Sequence, residues 1–269
     1  MAVTASRRRN PEGRMPLRDH LVELRQRVVR AGIAVVLATA VGWFLYDPLV
    51  SELTEPIQRI SAAEGRVAQI NFSQVASSFD LKVKVSIWLA VIIASPVWIY
   101  QLWAFITPAL TRSERRYALG FIAAAVPLFL AGIWLAWQFV PNAVRFLTSF
   151  TPEGGSNIVD AQYYLGFVMR LLLAFGIAFL LPVVLVGLNF AGLLRGRSIL
   201  RAWRWVVVVA MTFAAMATPT PEVTTMFMLA LPMLLLFAVA IGIAMVNDRR
   251  RDRRAGGDGD LPDDVPSPL

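Results

Sequence analysis

The chain has 269 residues, of which 57% are hydrophobic and 16% charged, with a formal net charge of +8. Soluble domains carry about 45–50% apolar and about 25% charged residues, so this balance excludes an ordinary water-soluble globule. Cysteine is absent and histidine occurs once, which removes disulfides, thiolate nucleophiles and thiolate metal sites, and leaves imidazole chemistry to one side chain.

The predicted elements, in chain order, begin with a polar, basic arm at residues 1–15, broken by Pro11 and Gly13 and expected to be disordered. Residues 16–29 read as an amphipathic helix. Leu17, Leu21, Leu24 and Val28 form its apolar stripe, while Asp19, Glu23 and Arg27 share the other face. Such a helix is expected to lie in the membrane interface and lead into the first of six apolar runs. These runs are Ala31–Tyr46, Val85–Thr111, Tyr117–Val144, Ala161–Leu194 (interrupted by Arg170), Trp205–Pro221 and Val223–Asn247. About 20 apolar residues suffice to cross the hydrocarbon, and lipid leaves unpaired backbone groups without water, so each run is predicted to be a helix. The fold class is therefore all-α: a six-span membrane domain over residues 16–247, followed by a polar tail at 248–269 expected to be disordered.

The long connection Asp47–Lys84 carries its own apolar residues and is expected to be a packed cap, with Ser73 available to start the next helix. A turn cluster, Thr151-Pro152-Glu153-Gly154-Gly155, marks the connection Pro141–Asp160. Pro96, Pro127, Pro182 and Pro232 fall inside spans. They are compatible either with kinked helices that build a concave wall or with the ordinary tolerance of membrane helices for proline. Span five is short: 17 residues from Arg201 to Ala217 reach about 25 Å, against roughly 30 Å of hydrocarbon. With the turn Thr218-Pro219-Thr220-Pro221-Glu222 it predicts a tight, shallow hairpin with span six.

Twenty of the 26 Lys and Arg residues fall on one side: the N-terminal arm to Arg30, Arg112–Arg116, Arg195–Arg204 and Arg249–Arg254. Positive loops stay in the cytoplasm, which predicts both termini inside. A basic arm before an apolar run ending at Ala38-Thr39-Ala40 imitates a secretory leader, but the arm is too long and its removal would break the even span count. Arginines beside membrane spans set topology and bind anionic lipid, so the basic charge does not point to nucleic acid.

No span holds His or Cys, and no two carboxylates share a span at helical spacing. The sequence therefore predicts no enzyme, no cofactor and no metal site. His20 reads as an interfacial polar residue. Polar chemistry is left to a few acids among the arginines: Asp19, Glu23 and Glu114. A carboxylate at a membrane surface suits a guanidinium ligand, which it binds through two parallel hydrogen bonds. The competing reading is internal: Glu23 sits four residues from Arg27, and Glu114 is flanked by Arg112, Arg115 and Arg116.

Five segments in register resemble the TatC family of twin-arginine protein translocases. They are His20-Leu21-Val22-Glu23-Leu24-Arg25-Gln26-Arg27, the stretch from Ser95-Pro96 to Ala109-Leu110 followed by Glu114-Arg115-Arg116, Thr151-Pro152-Glu153-Gly154, Tyr164-Leu165-Gly166-Phe167-Val168-Met169, and Thr218-Pro219-Thr220-Pro221-Glu222. The resemblance spans roughly residues 16–246. It implies a receptor in the bacterial cytoplasmic membrane that binds the paired arginines of signal peptides on folded export substrates. It further implies association with single-span TatA- and TatB-type proteins and self-association in the working complex. By the same resemblance, Glu23 and Glu114 correspond to the binding carboxylates and Arg25 and Phe105 to neighbouring positions. Thr218, Glu222, Thr225 and Met226 fall on the hairpin where partners dock. The chain departs from the family pattern at Leu180, where many relatives have Glu or Gln, at Glu222, where Asp is commoner, and at Met226, which replaces a frequent Gln. Arg170 lies within a span, either snorkelling to the outer surface or in contact with a partner helix or the inserted signal peptide.

Overall fold

The computed structural model describes residues 17–64, 68–72, 76–106, 114–150, 157–217 and 223–257. Eight helices and two short strands occur among them: α1 (Leu17–Glu64), β1 (Ala68–Asn71), α2 (Ser77–Ile93), α3 (Ser95–Ile106), α4 (Glu114–Ser149), β2 (Asn157–Asp160), α5 (Ala161–Phe190), α6 (Gly196–Arg201), α7 (Trp203–Ala217) and α8 (Val223–Gly257). Four helices are individually long and apolar enough to span a membrane, α2 with α3 makes a fifth bent span, and α7 is a shorter apolar helix. The described parts of the six predicted runs are mostly helical, with a break at Ala94 in the second and the helix of the fourth ending at Phe190, while 107–111 and 218–221 lie outside the described residues.

The boundaries differ from expectation in instructive ways. The amphipathic segment and span one are a single helix of 48 residues, which continues through Pro48 and Pro56 and so covers about 72 Å. It consumes much of the connection that the sequence left as a cap. Helix α4 likewise runs through Pro127 and Pro141 to Ser149. Helix α8 continues to Gly257, past the expected limit at Asn247, because Asp248–Arg254 extends the helical pattern beyond the apolar stretch. Ser73 and the turn cluster 151–155 lie outside the described residues; α2 starts at Ser77 after Ala76, with no side-chain cap.

Of the span prolines, Pro96 accompanies a sharp break: α2 and α3 meet at 59°. Pro96 has no N–H to offer the Ile92 carbonyl, and at the same break the Trp98 indole N–H donates to the carbonyl of Val91 at 2.8 Å. Pro182 and Pro232 stay within continuous helices, the tolerance expected of membrane segments.

Helix α5 occupies the centre: 56% of its most apolar window is buried, against 6% in α1. It packs on α4, α8 and α2, while α7 leans on α8. Leu165, Val168, Met169 and Phe175 of α5 join Leu53, Leu81, Val85, Val140 and Leu229 in the main core. A second cluster gathers Ile99, Phe129, Leu173 and Leu180. Leu180 thus fills an apolar contact where a Glu or Gln would demand a hydrogen-bond partner.

The end opposite the arginines is clasped by polar contacts. Strands β1 and β2 pair in parallel from Ala68 with Asn157 to Asn71 with Asp160. Asp160 caps α5 by accepting from the amides of Gln162 at 2.9 Å and Tyr163 at 3.2 Å. Gln162 donates to Asp80 at 2.9 Å, and the buried Tyr164 hydroxyl donates to the Leu53 carbonyl at 2.7 Å. Lys82 pairs with Asp47 at 3.2 Å and lies over the Trp43 and Tyr46 rings at 5.2 and 5.0 Å, a cation–π arrangement. The expectation of a packed connection holds for these residues.

A second polar knot ties α8 to the turn between α5 and α6. Asn189, 1% exposed, donates to Asp248 at 2.8 Å and to the Leu194 carbonyl at 2.9 Å, and accepts from Asn247 at 3.0 Å. The Gly196 amide donates to the other Asp248 oxygen at 2.6 Å. The turn itself needs Gly192, whose φ is +75°, and a Cβ there would also lie 2.7 Å from the Arg251 guanidinium. Replacing Asn189 by Leu strands the Asp248 carboxylate and the Leu194 carbonyl. We expect a loss of about 1–3 kcal/mol, read as a lowered Tm of the detergent-solubilised protein. An unchanged Tm would show that the knot contributes nothing.

Candidate functional site

The amphipathic start of α1 is turned the opposite way from a helix lying on a soluble core. Leu21, Leu24 and Val28 are exposed, at 64%, 36% and 59%, whereas His20, Glu23 and Arg27 are partly buried. In a bilayer this is the economical orientation, because apolar side chains meet lipid without cost and ionisable ones are sheltered by protein. Of the polar face expected from the sequence, Glu23 and Arg27 pack while Asp19 is exposed.

The helix facing this segment is α3. His20 stacks on Phe105 with ring centroids 4.5 Å apart and planes 17° from parallel. The last turn of α3 is held from behind by Trp103, which is 4% exposed and stacks on Phe121 of α4 at 3.8 Å and 13°. Any Cβ at Gly187 of α5 would collide with the Trp103 ring, so this glycine is what lets the indole slot between α4 and α5.

Glu23 is the acid of the site, its side chain 21% exposed. One carboxylate oxygen, Oε1, accepts from Arg27 Nε at 2.9 Å and from Arg27 Nη2. The internal pairing that the spacing allowed is therefore formed. The other oxygen, Oε2, is buried and has no hydrogen-bond partner among the described residues, as is Oε1 of Gln101 on α3. A shielded carboxylate oxygen without a donor is costly, and a guanidinium offers paired N–H groups that would satisfy it. Gln101 was not singled out by sequence, because one amide within an apolar run carries no periodic signal.

The remaining expected residues distribute as follows. Arg25 is exposed and faces away from His20 and Glu23. Glu114 opens α4, directly after residues 107–113, and its side chain, like Thr218, Glu222 and the Thr225 side chain, lies outside what is described. Met226, in the first turn of α8, is partly buried against the main core. The exposed residues at that level are Phe227 and Met228, at 51% and 60%. Arg170 is exposed, and its Nε donates to the Gly166 carbonyl at 2.9 Å. That places the guanidinium back toward the start of α5, as snorkelling requires.

Comparison with known proteins agrees with this architecture. A family model described as Sec-independent protein translocase protein (TatC) matches residues 19–232. The TatC protein of Xylanimonas cellulosilytica is 50% identical over 241 residues, covering 90% of this chain and 87% of that protein. That of Rothia mucilaginosa is 43% identical over 250 residues, with 93% and 85% covered, and that of Escherichia coli strain K12 is 34% identical over 184 residues, with 68% and 70% covered. A crystal structure of the twin-arginine translocase receptor TatC in the detergent DDM superposes with a TM-score of 0.69 at 31% identity, over 84% of this chain and 99% of that one. The apolar helices, the inward acid of α1 and these relationships lead to one conclusion: the chain is a multi-pass membrane protein that belongs to the TatC family of Sec-independent protein translocases.

Proposed function

We propose that this chain is the receptor of a twin-arginine translocation system and that Glu23, with Glu114, grips the paired arginines of signal peptides on folded export substrates. The single observation that carries the reading is the state of Glu23: sheltered, one turn from the His20–Phe105 stack, with one oxygen lacking a donor among the described residues. The family and its solved relatives, one of which is titled a twin-arginine translocase receptor, supply the class of ligand. Phe105 offers a ring face to a guanidinium or to the apolar part of the peptide, and Arg25 stands at the exposed rim. The reading assigns no catalytic step to the chain.

The same reading gives the orientation and the company. The excess of Lys and Arg before and within the start of α1, at Arg112–Arg116, at Arg195–Arg204 and along the end of α8 supports cytoplasmic termini. The hairpin of α7 and α8 receives single-span TatA- and TatB-type partners at Thr218, Glu222, Thr225 and Met226, flanked by the exposed Phe227, Met228 and Leu231. At 15 residues, α7 reaches about 22 Å, short of the hydrocarbon thickness, so the hairpin thins the bilayer where partners gather. Further copies of the chain join the assembly.

Two measurements test the grip. Charge-assisted pairs contribute about 1.5–3 kcal/mol each, so Glu23→Gln with Glu114→Gln should lower affinity for a twin-arginine peptide by roughly 10²–10⁴-fold while the protein still inserts. Photo-crosslinking in membrane vesicles reads this directly, and an undiminished crosslink sinks the assignment. Arg27 competes for the same carboxylate. Arg27→Gln should therefore tighten peptide binding by about two- to fivefold; a weakened titration would instead make Arg27 a positioning residue.

A further inference from the structure

A concave surface at the arginine-rich end is built from residues other than those assigned to the peptide grip. Arg197, Leu200, Arg201, Trp203 and Arg204 line an open cavity of about 540 Å³ where α6 passes into α7. Helix α6 buries Gly196 and Ile199; a Cβ on Gly196 would lie 2.9 Å from the Ala244 backbone of α8. With that side fastened, Arg197, Leu200 and Arg201 of α6 and Arg204 at the start of α7 are all exposed.

Three guanidiniums share this cavity, and none pairs with a carboxylate among the described residues. Asp248, the acid packed against α6, commits one oxygen to Asn189 and the other to the Gly196 amide. Asp252 is exposed one turn further along α8. Like charges gathered on a rigid wall create a strong local field for an anion.

The other wall is apolar and sits where the membrane begins. Leu200, Trp203 and Trp205 are 42%, 51% and 72% exposed, and the uncharged run of α7 follows at once. Exposed tryptophans at the start of an apolar helix mark the headgroup level. A free phosphate would use the guanidiniums and leave Leu200 and Trp203 idle. A phospholipid uses both, placing its phosphodiester among the arginines and the start of its chains along the apolar side chains.

We propose that this cavity is a binding site for the headgroup of an anionic glycerophospholipid, anchoring the shallow α7 at its arginine-rich end. The inference is independent of the peptide grip. Native mass spectrometry of the full chain counts bound phosphatidylglycerol against phosphatidylcholine. Arg197→Gln/Arg201→Gln/Arg204→Gln should weaken phosphatidylglycerol binding by about a hundredfold. The charge-matched set Arg249→Gln/Arg250→Gln/Arg253→Gln should change it far less. Equal losses in the two sets would reduce the effect to diffuse charge and overturn the site, and displacement of the lipid by millimolar inorganic phosphate would overturn the lipid as its occupant. The chain has no cysteine, so a fluorophore on Leu200→Cys provides a readout that leaves every arginine in place. Headgroup spin-labelled phosphatidylglycerol should quench it more than the phosphatidylcholine analogue does, and equal quenching would refute the proposal.

Discussion

The seating of Trp103 between the Phe121 ring and the bare backbone of Gly187 is the contact on which the arginine-rich end depends. Helix α3 leaves α2 at 59°, so the bend alone does not decide where its far end lies. The indole decides it, by locking the last turn of α3 to α4 and α5 together. Phe105, two residues on, is then presented to α1, and His20 stacks against it. A bulkier residue at 187 would displace the ring and move the whole α3 terminus, although it touches neither Glu23 nor any ligand.

The second constraint is the solvent. In water, the stripe of Leu17, Leu21, Leu24 and Val28 would be the packing face, with Glu23 and Arg27 outward. In a bilayer the costs reverse: exposed leucines are neutral, and an ionisable group facing hydrocarbon costs several kcal/mol. Turning Glu23 inward removes that cost and incurs a smaller one, because its Oε2 has no donor among the described residues. Arg27 offsets half the problem by bonding Oε1. The acid is therefore held by one guanidinium and keeps a sheltered oxygen that, in the proposed role, a second guanidinium would satisfy.

The legible and illegible parts of the fold divide along the range of the interactions. Apolar run length announced the long apolar helices α1, α4, α5 and α8 and the bent pair α2–α3, and the shortness of the apolar helix α7 was visible as a residue count. The Glu23–Arg27 pair was readable as an i,i+4 spacing. Helix ends were harder: Pro48, Pro56 and Pro141 looked like boundaries, yet α1 and α4 pass through them. Contacts between distant segments gave no signal at all. Asn189 and Asp248 are 59 residues apart, and Tyr164 reaches Leu53 across 111. His20 and Phe105 each drew notice singly, but nothing local tells that an imidazole and a phenyl ring 85 positions apart will stack. Gln101 escaped because its importance lies only in what surrounds its oxygen.

The two ends of the molecule are held in different ways, and that difference bears on how a receptor would work. At the end opposite the arginines, strand pairing, the Asp160 cap and the Tyr164–Leu53 bond fasten the connections to one another. At the arginine-rich end, α1 touches protein along one side only, and Val29, Ile33, Val36 and Leu37 are more than half exposed. An arginine pair docked at Glu23 would leave the following apolar segment of the same peptide next to that bare face. The segment could then lie along α1 within the hydrocarbon, with neither partner losing apolar contact. On the proposed reading, charge recognition at the rim and lipid-depth packing below it would fall on one helix, held at its far end by the Tyr164–Leu53 bond and exposed at Val29, Ile33, Val36 and Leu37.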